Sequence, residues 1–256
     1  MATAKAMPAE SPAPFYVFDV ETMNPPADVV ERMEKEFLET WEAPGNLRDP
    51  DKVEAKRTTD FEKFREKLAL TDEAPVTMVG LMFEDQTFLL HGLRVAKAKW
   101  AGSRKNNVTL EGFRGERALM EAVVTVLNEK TSPGWVGVGH NAYKFDLPKL
   151  RLACVRQGLA LPDALRVVVS DDEDRRRFVD TMQHFCRYFG RNGELFISQD
   201  KMLQRLGLPS LLDGIADGKD VPGLLANGEI AAVANKLLAD LVGVKAAYLR
   251  MVGVGT

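Results

Sequence analysis

A chain of 256 residues with 45% hydrophobic and 28% charged side chains has the composition of an ordinary globular protein. It contains no apolar run near the roughly 20 residues that a membrane-spanning helix needs, and Cys154 and Cys186 form neither a CxxC pair nor a disulfide framework. The net charge of −3 argues against a partner that is held mainly by phosphate neutralisation, because such proteins are usually basic.

The amino-terminal segment is rich in alanine and proline, and residues 1–13 are predicted to be a disordered tail. This segment lacks the continuous apolar core of a secretory signal, so we expect a cytoplasmic protein. Residues 14–256 are predicted to form one domain, because a chain of this length suits a single α/β domain with an insertion.

The first half of this domain predicts three strands and a helical insertion. Residues 15–21 are aromatic and β-branched, which favours a strand that is buried on at least one face. A charged insertion of two helices is predicted at about 27–71, since apolar residues recur there at a four-residue spacing and a proline begins the second helix. The apolar runs 76–83 and 87–93 predict a hairpin.

The second half predicts helices and two further strands. In chain order these are a helix over 115–129, a strand over 135–139, a helix over 145–159, a short strand over 177–181, a helix after Ser198, a loop over 214–223 and a long helix over 229–251. Strands flanked by helices in this order indicate an α/β fold with a central five-stranded mixed sheet.

Two acidic residues stand close together in the first predicted strand. Asp19 and Glu21 are two positions apart, so their carboxylates project from the same face of the strand. This pair is a candidate metal site. The alternative is a strand whose end emerges into solvent.

A third acid follows the strand predicted over 135–139. That strand runs into a Gly-His-Asn turn, after which a helix opens at Asp146. Asp146 has an alternative explanation as a first-turn acid favoured by the helix dipole. That explanation does not account for Asn141 and Phe145 in the same motif.

A fourth acid, Asp240, interrupts an apolar stretch of the last predicted helix. Its neighbours are Leu237, Leu238, Leu241 and Val242. An acid in such surroundings needs a partner or a metal ion to offset its desolvation. Taken by itself, however, Asp240 is better explained as a solvated acid.

Together these elements resemble the DEDD superfamily of 3′–5′ exonucleases. They are most similar to predicted exonucleases, some of them from phages, that are related to the proofreading domain of family B DNA polymerases. The resemblance covers most of residues 15–252 and implies an RNase H-like fold. Its motifs are Phe18-Asp19-Val20-Glu21-Thr22, Asn141 followed by Phe145-Asp146, and Asp240 followed by Tyr248-Leu249-Arg250.

The resemblance implies a site for two divalent cations, Mg²⁺ or Mn²⁺, which favour carboxylate oxygens. Asp19 would bridge both ions. Glu21 and Asp240 would hold the ion that carries the nucleophilic water, and Asp146 would hold the second ion through water. Substrate contacts are assigned by the same resemblance: Asn141 and Phe145 would position the 3′-terminal nucleotide, and Thr22 and His140, inside the same motifs, are further candidates.

One position departs from the family. The tyrosine that the family places four residues before the last aspartate, to orient the water, is replaced by Lys236. Lys236 can pair with Asp240 at i,i+4 spacing, but an ammonium donates hydrogen bonds and cannot accept one. We therefore expect Lys236 to act in the site as a poorer substitute, giving a hydrolase of reduced efficiency. A fully active enzyme and an inactive one remain alternatives, and Tyr143 and His140 are the nearest replacements for the missing tyrosine.

A basic loop at 94–107 is the candidate nucleic-acid contact. Trp100 stands there among five cations, Arg94, Lys97, Lys99, Arg104 and Lys105. Such a set combines phosphate attraction with base stacking. The alternative is a solvated loop whose tryptophan packs on the core.

The sequence thus predicts a metal-dependent 3′–5′ exonuclease that acts on single-stranded DNA, in a bacterial or phage-infected cell. No polymerase segment is recognised, so proofreading would occur in trans with a separate polymerase subunit. Two alternatives remain open: a nucleic-acid or partner-binding module with lost catalysis, and an RNase acting on short RNA. Asp180 is a minor candidate for the metal site, and no membrane partner is expected.

Overall fold

The structure, a computed structural model, describes residues 13–93, 107–167, 176–190, 193–211 and 215–253. These residues contain six strands: β1 (Phe15–Thr22), β2 (Val76–Met82), β3 (Thr87–His91), β4 (Val108–Gly112), β5 (Val136–Gly139) and β6 (Phe178–Asp180). They also contain eight α-helices: α1 (Ala27–Thr40), α2 (Pro50–Glu66), α3 (Glu116–Lys130), α4 (Asp146–Arg156), α5 (Thr181–Tyr188), α6 (Gln199–Arg205), α7 (Val221–Ala226) and α8 (Ile230–Met251). No described helix is both long and apolar enough to cross a membrane.

The strands form one mixed sheet in the order β4-β3-β2-β1-β5-β6. β1 lies antiparallel to β2 and parallel to β5, and β6 runs parallel to β5. The carboxyl ends of β1, β5 and β6 therefore meet at one edge of the sheet, which is where open α/β sheets place their ligands. Glu21, Gly139 and Asp180 stand at this edge.

Side chains of β1 alternate between the two faces of the sheet. Tyr16 and Phe18 are fully buried in the core that β1 forms with α3 and α4. Val17 is buried on the opposite face, in the core that includes α7 and α8. Asp19 and Glu21 share the parity of Val17, so they belong to the face that α8 covers.

Close packing between α8 and the sheet depends on a glycine. Gly80 of β2 is paired with Asp19 across the antiparallel ladder. A methyl group on Gly80 would lie 2.7 Å from Leu241 Cδ1 of α8, closer than van der Waals contact allows. Because Gly80 has no side chain, α8 can approach the sheet beside Asp19, and Asp240 of α8 therefore lies close to β1.

The helical insertion contributes little to the main core, because neither α1 nor α2 contains a buried residue. The two helices pack on each other through aromatic rings, with the Phe37 and Phe64 centroids 4.9 Å apart. Asp49 is the N-cap residue of α2, and its carboxylate accepts hydrogen bonds from the backbone amides of Asp51 and Lys52. This capping satisfies two of the amide groups that a helix start leaves without partners.

The α/β class and the mixed sheet are confirmed, but the prediction of five strands is wrong, since the sheet has six. The sequence pattern misses β4 because only Val108 of its five residues is buried, so an edge strand parallel to β3 shows no apolar alternation. It also misses α5. The beginning of α7 is assigned to the loop over 214–223, because proline and glycine, here Pro222 and Gly223, are typical of turns. Residues 1–12 of the predicted tail and 94–106 of the predicted basic loop lie outside the described residues.

Candidate metal centre

Three of the predicted site residues meet in one cluster. Asp19, Glu21 and Asp240 each offer a carboxylate oxygen, and these oxygens all lie within 4.8 Å of one another. Strand β1 supplies the first two residues from one face, and the close approach of α8 supplies the third. Three carboxylate oxygens at this separation are suitable ligands for a hard divalent cation.

Asp146 lies beside this cluster, in the first turn of α4. Its Oδ1 accepts a hydrogen bond of 3.0 Å from the backbone amide of Val20, which lies between Asp19 and Glu21 in the chain. Burial, with the nearby Glu21 carboxylate, raises the pKa of Asp146 to about 8 despite that hydrogen bond. Asp146 is therefore fixed to β1 by its backbone, and it is not among the three residues of the tight cluster.

Electrostatic repulsion shows how crowded the carboxylates are. Burial raises the pKa of Asp19 well above its ordinary value, and the charges of Asp146, Asp240 and Glu21 raise it further. Such a group of acids is stabilised when a cation offsets the repulsion. In this chain, one cation belongs to the protein itself.

That cation is Lys236, one turn before Asp240 on α8. Its Nζ lies 2.7 Å from Glu21 Oε1 and 2.7 Å from Asp240 Oδ2. Burial lowers the pKa of Lys236, but the carboxylates of Glu21, Asp240 and Asp19 outweigh this and raise the pKa above its ordinary value. Lys236 is therefore charged, and it bridges two of the acids that a metal ion would use.

The turn after β5 is held by a fifth acid, Asp180. Asn141 adopts a left-handed backbone conformation with φ of 58°, and its amide donates to Asp180 Oδ1 at 3.0 Å. The same carboxylate accepts from the backbone amides of Tyr143, Met182 and Gln183, and thereby caps α5. Asp180 thus positions the Asn141 turn and makes no part of the carboxylate cluster. An aspartate just before a helix start is the signal that sequence reasoning missed.

Several predicted contact residues have their polar groups engaged within the protein. His140 uses both ring nitrogens, at 3.1 Å from Thr181 Oγ1 and 3.0 Å from the Ile197 carbonyl. The Thr22 hydroxyl donates to the carbonyl of Ala69 at 2.5 Å. The Tyr143 hydroxyl donates to the Phe178 carbonyl at 2.9 Å. The candidates for replacing the missing tyrosine, His140 and Tyr143, are thus already hydrogen-bonded within the protein.

Phe145 lies half-buried, immediately before α4. The ammonium of Lys149 lies 5.7 Å from the centre of its ring and donates to the carbonyl of Thr71. This ring thus packs against α4 while part of it faces solvent beside Asp146. Trp100, the remaining predicted contact, lies outside the described residues.

A groove of about 760 Å³ lies next to the Asn141 turn, between that turn and α5. Tyr188 in its wall is 61% exposed, its ring centre lies 4.8 Å from that of His184 at a tilt of 51°, and the guanidinium of Arg187 lies 5.3 Å from the same ring centre. Lys144 lines the opposite part of the groove and is exposed. Sequence reasoning missed this surface because it did not predict α5.

A comparison of the chain with protein-family models finds no match, and a comparison with curated proteins finds none either. The carboxylate cluster and its surroundings are therefore the features that indicate a function.

Proposed function

We propose that this protein is a metal-dependent 3′–5′ exonuclease that hydrolyses phosphodiester bonds at the 3′ ends of single-stranded DNA, with Mg²⁺ or Mn²⁺ as cofactor. The observation that carries the proposal is the meeting of Asp19, Glu21 and Asp240, whose oxygens lie within 4.8 Å of one another, with Asp146 anchored beside them. We further propose that it acts in the cytoplasm of a bacterial or phage-infected cell and proofreads in trans for a separate polymerase.

The fold supports this proposal without deciding it. The six-stranded sheet and its flanking helices are compatible with an RNase H-like fold, and without the edge strand β4 the sheet has the five strands that the resemblance implies. The acids lie at the carboxyl end of β1, at the start of α4 and in the middle of α8. These are the three places that the sequence motifs assign to them.

The residue chemistry suits phosphodiester hydrolysis. Carboxylate-bound divalent cations activate water and neutralise charge on the leaving oxygen. In this chain, the charges of Asp146, Asp240 and Glu21 all act on Asp19, and the Val20 amide fixes the orientation of Asp146. Lys236 donates hydrogen bonds to Glu21 and Asp240 and adds a positive charge to the carboxylate cluster. An ammonium cannot accept the proton of an attacking water, so we expect slow hydrolysis.

The groove beside the Asn141 turn supports a nucleic-acid substrate despite the net negative charge. Lys144 and Arg187 are exposed cations, and Tyr188 is an exposed ring of the kind on which bases stack. The groove shares Tyr143 and Asp180 with the turn that precedes Asp146. We therefore propose that nucleotides on the 5′ side of the scissile bond lie in this groove.

Lys236 also favours a second candidate function. Because its ammonium already neutralises Glu21 and Asp240, the protein is stable without a metal ion there and can act as a non-catalytic module that binds nucleic-acid ends. The presence of Asp19 and Asp146 favours catalysis over this alternative, since an inactive module has no need for further buried acids beside Glu21 and Asp240.

Incubation with labelled oligonucleotides separates these functions. The proposal predicts that a 5′-labelled single-stranded DNA yields a ladder of shorter products in Mg²⁺ or Mn²⁺ and none in EDTA. A matched RNA run in parallel tests the RNase alternative, which predicts preferential cleavage of the RNA. Retention of both oligonucleotides on the protein without any cleavage would favour the non-catalytic module.

A further inference from the structure

The ammonium of Lys236 lies between two carboxylates, in a position that a bound metal ion would take. We propose that Lys236 substitutes for one of the two metal ions, so that the chain binds a single divalent cation, held by Asp19 and Asp146. This inference rests on the proposed function and deepens it, because it names the metal stoichiometry of the same site.

The position between the carboxylates of Glu21 and Asp240 is already occupied by the Lys236 ammonium. The Lys236 ammonium lies 2.7 Å from an oxygen of each, and all three side chains are nearly buried, with 10–13% of each exposed. A divalent cation at the same oxygens would stand directly beside a positive charge, with little water to screen the repulsion. An ammonium and a metal ion therefore compete for this position.

A position for one divalent cation remains at Asp19 and Asp146. Within the described part of the chain, no group donates a hydrogen bond to the Asp19 carboxylate, while Asp146 has one oxygen fixed by the Val20 amide. Mg²⁺ is commonly bound by one or two carboxylates, with water and substrate phosphates completing its octahedron. The hydrogen bond to the Val20 amide keeps Asp146 beside Asp19, so these two carboxylates are the protein ligands that remain for one ion.

The surroundings of Lys236 bear on whether its side chain can leave the site. The turn at Gly218–Asp220 lies near the end of the lysine stem, since a methyl group on Gly218 would lie 3.9 Å from Lys236 Cε. Leaving the site would also give up both ion pairs of Lys236. This favours a lysine that stays in place when the protein binds metal.

The test counts bound Mn²⁺ by the electron paramagnetic resonance signal of the free ion, with the full-length protein, in the presence and absence of thymidine 5′-monophosphate. The wild type should bind one Mn²⁺ per chain. Lys236→Met, and Lys236→Gln as a second neutral variant, should bind two. The control is Lys245→Met, a lysine nine residues further along α8, about 13 Å away along the helix axis, which should bind one.

Each outcome decides the inference. Two ions on the wild type would overturn it, and so would a single ion on both Lys236 variants, because Lys236 would then not be what excludes the second ion. DNA cleavage by a wild type that binds two ions would leave the proposed function standing while the inference fails. A wild type that binds no Mn²⁺ and cleaves no DNA would overturn the proposed function together with the inference.

Discussion

The ammonium of Lys236 lies 2.7 Å from the carboxylate of Glu21, although 215 positions separate the two residues in the chain. Asp240 completes the bridge at the same distance. The contact joins the last helix to the first strand through charges that are almost fully removed from water. It therefore links the stability of the fold to the chemistry of the site, and both effects can be measured.

The first prediction concerns activity. Lys236→Tyr should increase exonuclease activity at fixed Mg²⁺ concentration, because a hydroxyl can both accept from and donate to an attacking water and because the positive charge is removed. Positioning of a proton-transfer group is worth about 10²–10⁴-fold, so an increase of at least tenfold is expected. Initial rates on single-stranded DNA measure it. A folded Lys236→Tyr protein that is no faster than the wild type would contradict the assignment of this position.

The second prediction concerns stability without metal. Lys236→Met should lower the free energy of unfolding in EDTA by about 3 kcal/mol, because removing one partner leaves buried carboxylates without compensation. Urea denaturation in EDTA measures the loss, and Mn²⁺ should restore most of it. Lys245→Met is the control and should change little. If Lys236→Met were as stable as the wild type in EDTA, the ion pairs would contribute no net stability.

The acids of the site and one of their ion pairs were predictable from sequence, but the contact between Lys236 and Glu21 was not. Asp19, Glu21 and Asp240 stand out because each interrupts an apolar stretch, and the i,i+4 spacing predicts the ion pair between Lys236 and Asp240. The contact of Lys236 with Glu21 depends on how closely α8 approaches β1. That distance is set by Gly80 and its neighbours on α8, which no local pattern reveals.

Prediction of the fold from the sequence is limited in the same way, because local patterns do not reveal every element. Strands with alternating or continuous apolar residues, such as β1 and β2, were predictable from periodicity, while the edge strand β4 was not, because one buried side chain gives no pattern. Asp180 was only a minor candidate for the metal site. Its role could not be predicted from the sequence, because its carboxylate accepts hydrogen bonds from four backbone amides that come together only in the folded chain.

The third prediction follows from this function of Asp180. Asp180→Ala should lower the free energy of unfolding by about 3 kcal/mol, because it leaves buried amide groups without an acceptor. For a domain of this size the melting temperature should fall by roughly 6–12 °C. Asp180→Asn keeps a carbonyl oxygen and should lose less. Below the new melting temperature, Asp180→Ala should still bind Mn²⁺ and Asp19→Asn should not; loss of Mn²⁺ binding in a folded Asp180→Ala protein would instead place Asp180 in the metal site.

The fourth prediction concerns the groove. The double variant Arg187→Ala/Tyr188→Ala should bind fluorescein-labelled single-stranded DNA about tenfold more weakly in EDTA, since one stacked base contributes about 1–3 kcal/mol. Fluorescence anisotropy measures the affinity. The control is Lys35→Ala/Leu38→Ala on α1, which removes an exposed cation and an exposed apolar side chain away from the groove. Equal affinity of the two double variants would exclude the groove as the path of the strand.

The polarity of DNA degradation is the sharpest check on the proposed exonuclease activity. Two single-stranded oligonucleotides of identical sequence carry an inverted, blocked nucleotide at the 3′ end or at the 5′ end, and both are incubated with the protein in Mn²⁺. A 3′–5′ exonuclease at the carboxylate cluster should degrade the 5′-blocked strand one nucleotide at a time and leave the 3′-blocked strand intact, and Asp19→Ala should degrade neither. Degradation of the 3′-blocked strand, or undiminished activity of Asp19→Ala, would contradict the account.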